Sequence, residues 1–412
     1  MRIAWMGPTP TLDGGAAYAA TQLLLGFSEV GIDVDCFVDG TPAVIPEVLR
    51  DAPGVHFFTT RPSRWQWGRW YSRTPLAQFI SGQSSRALTQ LRLIKLMRAA
   101  HARRPYDFLY RFSQIEMFGV RRHLATLPPI VLHPSVHVAG ELRWHRSEAS
   151  LGRTCQPDSW FLLVRAMLIA RARRQGKDIH SADVVLSLSR RFGELMCDDY
   201  KLAPAKIRLA PNPLDLARFT LPPNPKNVGP QKLLFVSRLA VRKGVEMVVD
   251  LSHRLHDLRE SAQILVVGDR SQWSNYRCIM ERANPDVLKW LGSVPGPGML
   301  ELYRSATGVL QPAHYEPFGL TVAEGLACGV PAVASDEVGA VEDVDRRCCS
   351  VFPSGDMDAF EHQVRALLAM DEAERDKVQR IARSEAERLF RPVTIATNVV
   401  SHLTAYQAEH AS

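Results

Sequence analysis

The sequence predicts an α/β protein made of two doubly wound parallel-sheet domains, one in each half of the chain. Three observations predict it. Short β-branched or aromatic runs alternate with longer helical patterns along the whole chain. The proline-rich stretch Leu221-Pro222-Pro223-Asn224-Pro225-Lys226-Asn227-Val228-Gly229-Pro230 interrupts that alternation near the middle, where regular structure is hard to sustain. The length of 412 residues suits two domains of roughly 100–200 residues each.

Taken in order, residues 2–6 read as a first strand. The segment has one charge, a short apolar run and no small-residue cleavage site, so a signal peptide is not expected. A loop with Gly14-Gly15 follows and leads into an alanine-rich helix. Further strands of the first half are expected at 34–38, 55–58, 107–112, 130–135, 183–189 and 207–210. The second half offers strands at 232–238, 264–268, 287–291, 308–311, 332–335 and 349–352. Charged helical sequence then runs through 371–389, Pro392 marks a break, and a last helical run reaches about residue 407. The domains are therefore placed at 1–220 and 221–390, with 391–412 as a C-terminal helix.

Composition excludes several classes. With 46% hydrophobic and 23% charged residues the chain is neither disordered nor fibrous. A membrane span needs about 18 uncharged apolar residues, and the best run, 160–170, is broken by Arg165 and followed by Arg171, Arg173 and Arg174. Seven scattered cysteines with no C-x-x-C pair favour neither a disulfide scaffold nor a zinc site, and a cytoplasmic location is expected. Residues 1–220 carry a charge of +11 and residues 221–412 a charge of −4. The basic first half suits an anionic partner and leaves peripheral membrane association open. No RNA or DNA motif accompanies it, so no nucleic-acid partner is expected. The segment 61–73, with Trp65, Trp67, Trp70 and four arginines, reads first as a loop packing its indoles into the domain core. Its second reading is a contact to an anionic membrane or an acidic or aromatic acceptor.

In open α/β sheets ligands bind beyond the carboxyl ends of strands, so the strand ends are where chemistry is sought. Gly14 and Gly15 precede a helix whose exposed N–H groups attract phosphate. Arg238 ends a strand and Lys243 stands near the next helix start, so two fixed cations can neutralise a diphosphate. Taken alone, this segment also reads as a solvated basic loop. The most specific segment is His314-Tyr315-Glu316-Pro317-Phe318-Gly319-Leu320-Thr321-Val322-Ala323-Glu324. It offers two carboxylates for sugar hydroxyls and backbone N–H groups at a helix start for anionic oxygens.

The Glu316-x7-Glu324 segment, Ser237-Arg238-Leu239 with Lys243-Gly244, Val266-Val267-Gly268-Asp269 and Leu291-Gly292-Ser293-Val294 resemble the retaining GT-B glycosyltransferases of family 4, the glycosyl transferases group 1. The likeness continues more weakly through Gly14-Gly15, 181–189 and 210–215, and gives little guidance over 40–105. It implies the GT-B fold, two Rossmann-like domains facing a central cleft. The N-terminal domain would hold the acceptor, the C-terminal domain the nucleotide-sugar donor, and the C-terminal helix would pack back on the first domain.

The resemblance further implies transfer of a hexose-type sugar from a UDP- or GDP-linked donor to a hydroxyl acceptor, with retained configuration. Arg238 and Lys243 would hold the diphosphate, Glu324 the ribose and Glu316 the sugar. The N–H groups of Phe318, Gly319 and Leu320 would contact sugar or phosphate, with Gly14 and Gly15 closing from the opposite domain. Gly268 belongs to the donor site, and the base is expected near Val294. The family's active-site histidine is matched by His137, with His133 as the second choice. The family's Asn-Gly-Val-Asp reads Asn212-Pro213-Leu214-Asp215 here, which leaves Asn212 outside the expected set.

Asp33-Val34-Asp35, Asp343-Val344-Asp345 and Asp356-Met357-Asp358 match the metal motif of the GT-A class in letters only. They read as surface acids, and neither a cofactor nor an essential metal is expected. No carboxylate in these motifs is an obvious nucleophile, which favours attack from the face the nucleotide leaves, with the two cations stabilising the leaving diphosphate. The alternative functions are a non-transferring sugar-nucleotide enzyme such as an epimerase, or a nucleotide-sugar-binding protein without catalysis.

Overall fold

The structure, a computed structural model, describes residues 1–60, 69, 75–222, 229–269 and 276–410. The first domain runs β1 (Arg2–Met6), α1 (Gly15–Glu29), β2 (Asp33–Asp39), α2 (Glu47–Arg50), β3 (Val55–Thr60), α3 (Pro75–Arg103) and β4 (Phe108–Ser113). It continues with β5 (Ile130–Pro134), α4 (Val138–Ser147), α5 (Ala149–Cys155), α6 (Asp158–Ile179), β6 (Val184–Ser187), α7 (Arg190–Tyr200) and β7 (Ile207–Leu209). The second domain opens with β8 (Gln231–Val236), α8 (Val245–Arg254), β9 (Ala262–Val267), α9 (Arg277–Met280), β10 (Leu288–Gly292) and α10 (Gly296–Ser305). After it come β11 (Gly308–Gln311), α11 (Leu320–Ala327), β12 (Ala332–Ser335), β13 (Cys349–Phe352), α12 (Met357–Ala369), α13 (Glu372–Phe390) and α14 (Pro392–Glu409).

Both sheets are parallel throughout. The first has the order β3-β2-β1-β4-β5-β6-β7 and the second β10-β9-β8-β11-β12-β13, so in each the order reverses beside its first strand. Parallel strands covered on both faces need near-continuous apolar sequence, as Ile3, Ala4 and Trp5 in β1 and Val333 and Ala334 in β12 illustrate, all fully buried. The two doubly wound sheets are those the sequence predicts. Residues 183–189 form a shorter strand than expected, because Ser187 donates to the Ser189 carbonyl and Ser189 caps α7 by accepting the Phe192 N–H.

After Pro392 the last helix returns to the first domain, where Ile395, Ala396, Val399 and Leu403 complete the core around Leu23, Leu24 and Phe27. Asn398 donates to the Leu209 carbonyl at 3.0 Å. Two further groups of contacts join the domains. At the start of α7 the N–H groups of Arg190 and Arg191 both donate to the Glu342 carboxylate at 2.8 Å, while their guanidinium groups pair with Asp343 and Glu337. Cys155 of α5 is bonded to Cys278 of α9, a bridge the scattered cysteine spacing did not announce; the other five cysteines are free.

Asp35 departs from its reading as a surface acid. It is 2% exposed, paired with Arg2 and hydrogen-bonded by the Tyr106 hydroxyl. Asp33, Asp35 and His56 have spacing that a metal ion can use, but Arg2 and Arg104 already occupy the Asp33 carboxylate. Among the described residues no helix is long and apolar enough to cross a membrane. Segment 61–73 lies outside the described residues apart from Arg69, as do residues 223–228 of the proline-rich stretch.

Candidate active site

Each sheet has its switch point beside its first strand, and the loop after β1 faces those after β8 and β11 across the space between the domains. A cavity of about 540 Å³ lies there. Its walls contain Gly14, Gly15, Arg238, Lys243, Gly268, Val294, Glu316, Phe318, Gly319, Leu320 and Glu324. Every donor-site residue expected from the sequence is thus brought to one cavity, from segments more than 300 residues apart.

Local sequence explains the placement. Gly319 stands before α11 at φ +102°, a conformation that other residues rarely adopt, and so aims the first N–H groups of that helix at the cavity. Gly268 has φ +128°, and a Cβ there would lie 1.9 Å from the Ser237 carbonyl oxygen, so only glycine lets the ends of β8 and β9 meet. Gly14 and Gly15 open α1 from the other side, where Arg218 holds their loop by bonding Asp13 at 2.8 Å and the Leu12 carbonyl at 2.6 Å.

The electrostatics are built from two carboxylates in different settings. The Glu316 carboxylate accepts from the Lys243 ammonium. Burial pushes its carboxyl up, but Lys243 and then Arg242 outweigh burial and hold it below the usual carboxylate range. Glu324 has no such cation in contact. Burial raises its carboxyl to about 7 against the hydrogen bond from the Tyr303 hydroxyl, 2.6 Å away. Arg238 is exposed at the cavity and forms no ion pair with a described carboxylate. The arrangement has uncompensated positive charge and helix N–H groups on one side, and hydroxyl-accepting carboxylates beyond them.

The histidines are placed differently. His137 is fully buried, its Nδ1 2.6 Å from the Tyr315 hydroxyl and its Nε2 2.7 Å from Asp199, and it is not among the residues lining the cavity. A carboxylate at Nε2 makes that nitrogen the donor, so Nδ1 accepts from Tyr315. His133 lies inside the first domain between Tyr110 and the Ala210 carbonyl, and burial lowers it to about 4. Both rings are engaged in scaffold bonds, and His137 connects the first domain to the residue preceding Glu316.

Several lining residues escaped sequence reasoning. Asn212, 5% exposed with a buried unpartnered Oδ1, borders the cavity although proline follows it. Gln311, the last residue of β11, and Ser135, just after β5, also present unpartnered buried oxygens there. Asn212 carried a motif signal, set aside because proline stands where the family has glycine; for Gln311 and Ser135 the signal was position alone, at strand ends beside the cleft. Arg242 adds a cation next to Lys243.

Comparison with known proteins follows the same geometry. The family model for glycosyl transferases group 1 matches residues 218–385. Glycogen synthase of Mycobacterium tuberculosis is 27% identical over 168 residues, which is 40% of this chain and 40% of that one. The chain thus matches about two fifths of the length of that relative. D-inositol 3-phosphate glycosyltransferase of Kribbella flavida is 23% identical over 95% of this chain and 91% of its own. Among solved structures, sucrose-phosphate synthase from Thermosynechococcus elongatus superposes with TM-score 0.71 at 20% identity, covering 100% of both chains. Anabaena HepE, in complex with UDP and glucose, gives TM-score 0.64 at 16% identity over 98% of this chain and 100% of that one. Residues 218–385, the greater part of the second domain, thus match the glycosyl transferases group 1 family, and the chain as a whole carries the GT-B fold.

Proposed function

We propose that this chain transfers a hexose-type sugar from a UDP- or GDP-linked donor to a hydroxyl acceptor, retaining the anomeric configuration and requiring no metal ion. One observation carries the reading: Gly14–Gly15 from one domain and Arg238, the Lys243–Glu316 pair and Glu324 from the other line the same cavity. The solved neighbour holding UDP and glucose, and the relatives named as glycosyltransferases, support the donor class.

In this reading the diphosphate lies on Arg238 and Lys243 and at the N–H groups opening α11. Glu324 accepts from the ribose hydroxyls and Glu316 from those of the sugar. The carboxylates lining the cavity are Asp13, Glu316 and Glu324, and the first two are already paired with Arg218 and Lys243. That pattern supports attack on the face from which the diphosphate departs: the acceptor oxygen bonds the anomeric carbon, the sugar–phosphate bond breaks, and the acceptor proton passes to a phosphate oxygen. Arg238 and Lys243 stabilise the charge that develops on the leaving group.

The test is a panel of UDP-glucose, UDP-N-acetylglucosamine, GDP-mannose and related donors with EDTA present, following release of UDP or GDP and thermal stabilisation. One donor that stabilises the protein and turns over slowly with water is expected, and NMR of a transfer product should show the donor's anomeric configuration. An altered sugar still attached to its nucleotide would establish the epimerase class instead. Binding without turnover in the presence of any acceptor would establish a binding protein.

A further inference from the structure

We propose that the outer face of α3, with the short helix Arg121–Thr126 beside it, docks on the surface of an anionic lipid bilayer. No Asp or Glu stands between Asp51 and Asp107, a stretch holding ten Lys and Arg residues. The helix within it is long: 29 residues at 1.5 Å each span about 43 Å, against about 20 Å for a strand of six residues. Its C-terminal end is at the start of the sheet, where the Arg104 carbonyl accepts from Arg2. By Gln90 it has reached the carboxyl edge, since the Gln90 side chain bonds Gln114, just after β4, at 3.1 Å. The turns before Gln90 therefore overhang the sheet on the side where the cleft opens.

No described side chain of α3 before Gln90 is buried, whereas Leu93, Ile94 and Met97 beyond it are. Helical spacing then aligns Ile80, Ser84, Leu88 and Leu91 on one exposed stripe. Ile80 is 56% exposed, Leu88 55% and Leu91 47%, which is apolar surface that an isolated helix turn gains nothing by showing to water. Arg92 and Lys95 flank the stripe, and Arg98 beside His123 brings up the neighbouring helix with exposed Arg122 and Leu124. An apolar stripe bordered by cations is the pattern of a helix lying in a lipid interface.

Charge selects this occupant over the others. A second copy of the chain would set like charges face to face. A nucleic acid would use the cations and leave Ile80 and Leu88 in water. An anionic bilayer uses both, and it would hold the cleft-side end of the first domain, the domain assigned to the acceptor, against the lipid surface.

The test is flotation of the full chain with vesicles of phosphatidylcholine alone or mixed with phosphatidylglycerol. Binding is expected only to the mixed vesicles, weakened by salt. Arg92→Glu with Lys95→Glu should lower it by at least about tenfold, as expected for charges near a lipid surface. Ile80→Ser with Leu88→Ser should lower it comparably at low salt. These side chains are exposed, and unchanged melting temperature and donor-induced stabilisation in each variant show that the fold and the donor site are intact. The outcome is thus separate from the proposed sugar chemistry. No binding of the wild type to either vesicle overturns the proposal. So does binding that the Ile80 and Leu88 substitutions leave unchanged, or a dimer in light scattering that those substitutions dissociate.

Discussion

Lys243 and Glu316 face each other in the cavity with side chains 14% and 15% exposed. A carboxylate so enclosed is tolerable because the ammonium is in contact, and the same ammonium is the cation proposed to meet the leaving diphosphate. Lys243→Ala is expected to reduce kcat by roughly 100–1,000-fold, the scale for removing one group that stabilises developing charge. It should also lower the melting temperature, since it strands Glu316, so turnover must be measured well below that temperature. Unchanged turnover would remove Lys243 from the mechanism. Glu324 yields a pH prediction. Its carboxyl is raised to about 7, chiefly by burial, and only the carboxylate accepts from two ribose hydroxyls. Affinity for UDP or GDP, measured by calorimetry, should therefore rise between pH 6 and 8, and Glu324→Gln should abolish the rise. Affinity that is flat or falling in the wild type would count against the ribose role. These residues were legible because motif spacing placed them at strand ends. The orientation of His137 was not legible, because its ring turns to Tyr315 and Asp199, partners 178 and 62 residues away.

Among the elements, the strands were the most legible. Each of the thirteen appears near its expected position: the central strands, buried on both faces, must be apolar along their length, while edge strands such as β3, β7 and β10 were marked by short β-branched or aromatic runs alone. The four-residue helices Glu47–Arg50 and Arg277–Met280 were not, since one turn has no periodicity to read. The second of these carries Cys278, whose bond to Cys155 joins α5 to α9 across a sequence separation of 123 residues and a Cα–Cα distance of 5.8 Å. Nothing in the spacing of seven cysteines selects that pair; only the meeting of two domains does. Closing a loop of this length is worth about 2–5 kcal/mol. Protein denatured without reductant should therefore expose five reactive thiols, rising to seven after reduction. Reductant should lower the melting temperature of the wild type and leave that of Cys155→Ser unmoved. Seven thiols without reductant would show that the two helices meet without a bond.

At the scale of the molecule, the disulfide belongs to a contact that also contains Glu148, which follows α4 in the first domain and is 8% exposed. Tyr276 of the second domain lies beside it, and its Oε2 is buried with no partner. Burial raises this carboxyl to about 7, opposed by Tyr276 and Arg242 and reinforced by Glu246. An acid whose native value lies above its unfolded one holds its proton more tightly when folded. Its contribution is complete below about 4.5, declines as pH rises, and is gone above about 7. The contact between the domains is thus tightest in mild acid. A move from 4.5 to about 7 corresponds to roughly 3 kcal/mol, so the melting temperature should fall between pH 5.5 and 8. Glu324 acts in the same direction in the empty protein, for the same reason of burial. Glu148→Gln should therefore flatten the fall in part, and adding Glu324→Gln should flatten it further. Bound donor should oppose the Glu324 share, because ribose hydroxyls favour its charged form, while leaving the Glu148 share untouched. A pH profile in Glu148→Gln as steep as the wild type's would mean that this carboxyl does not govern how the two domains hold together.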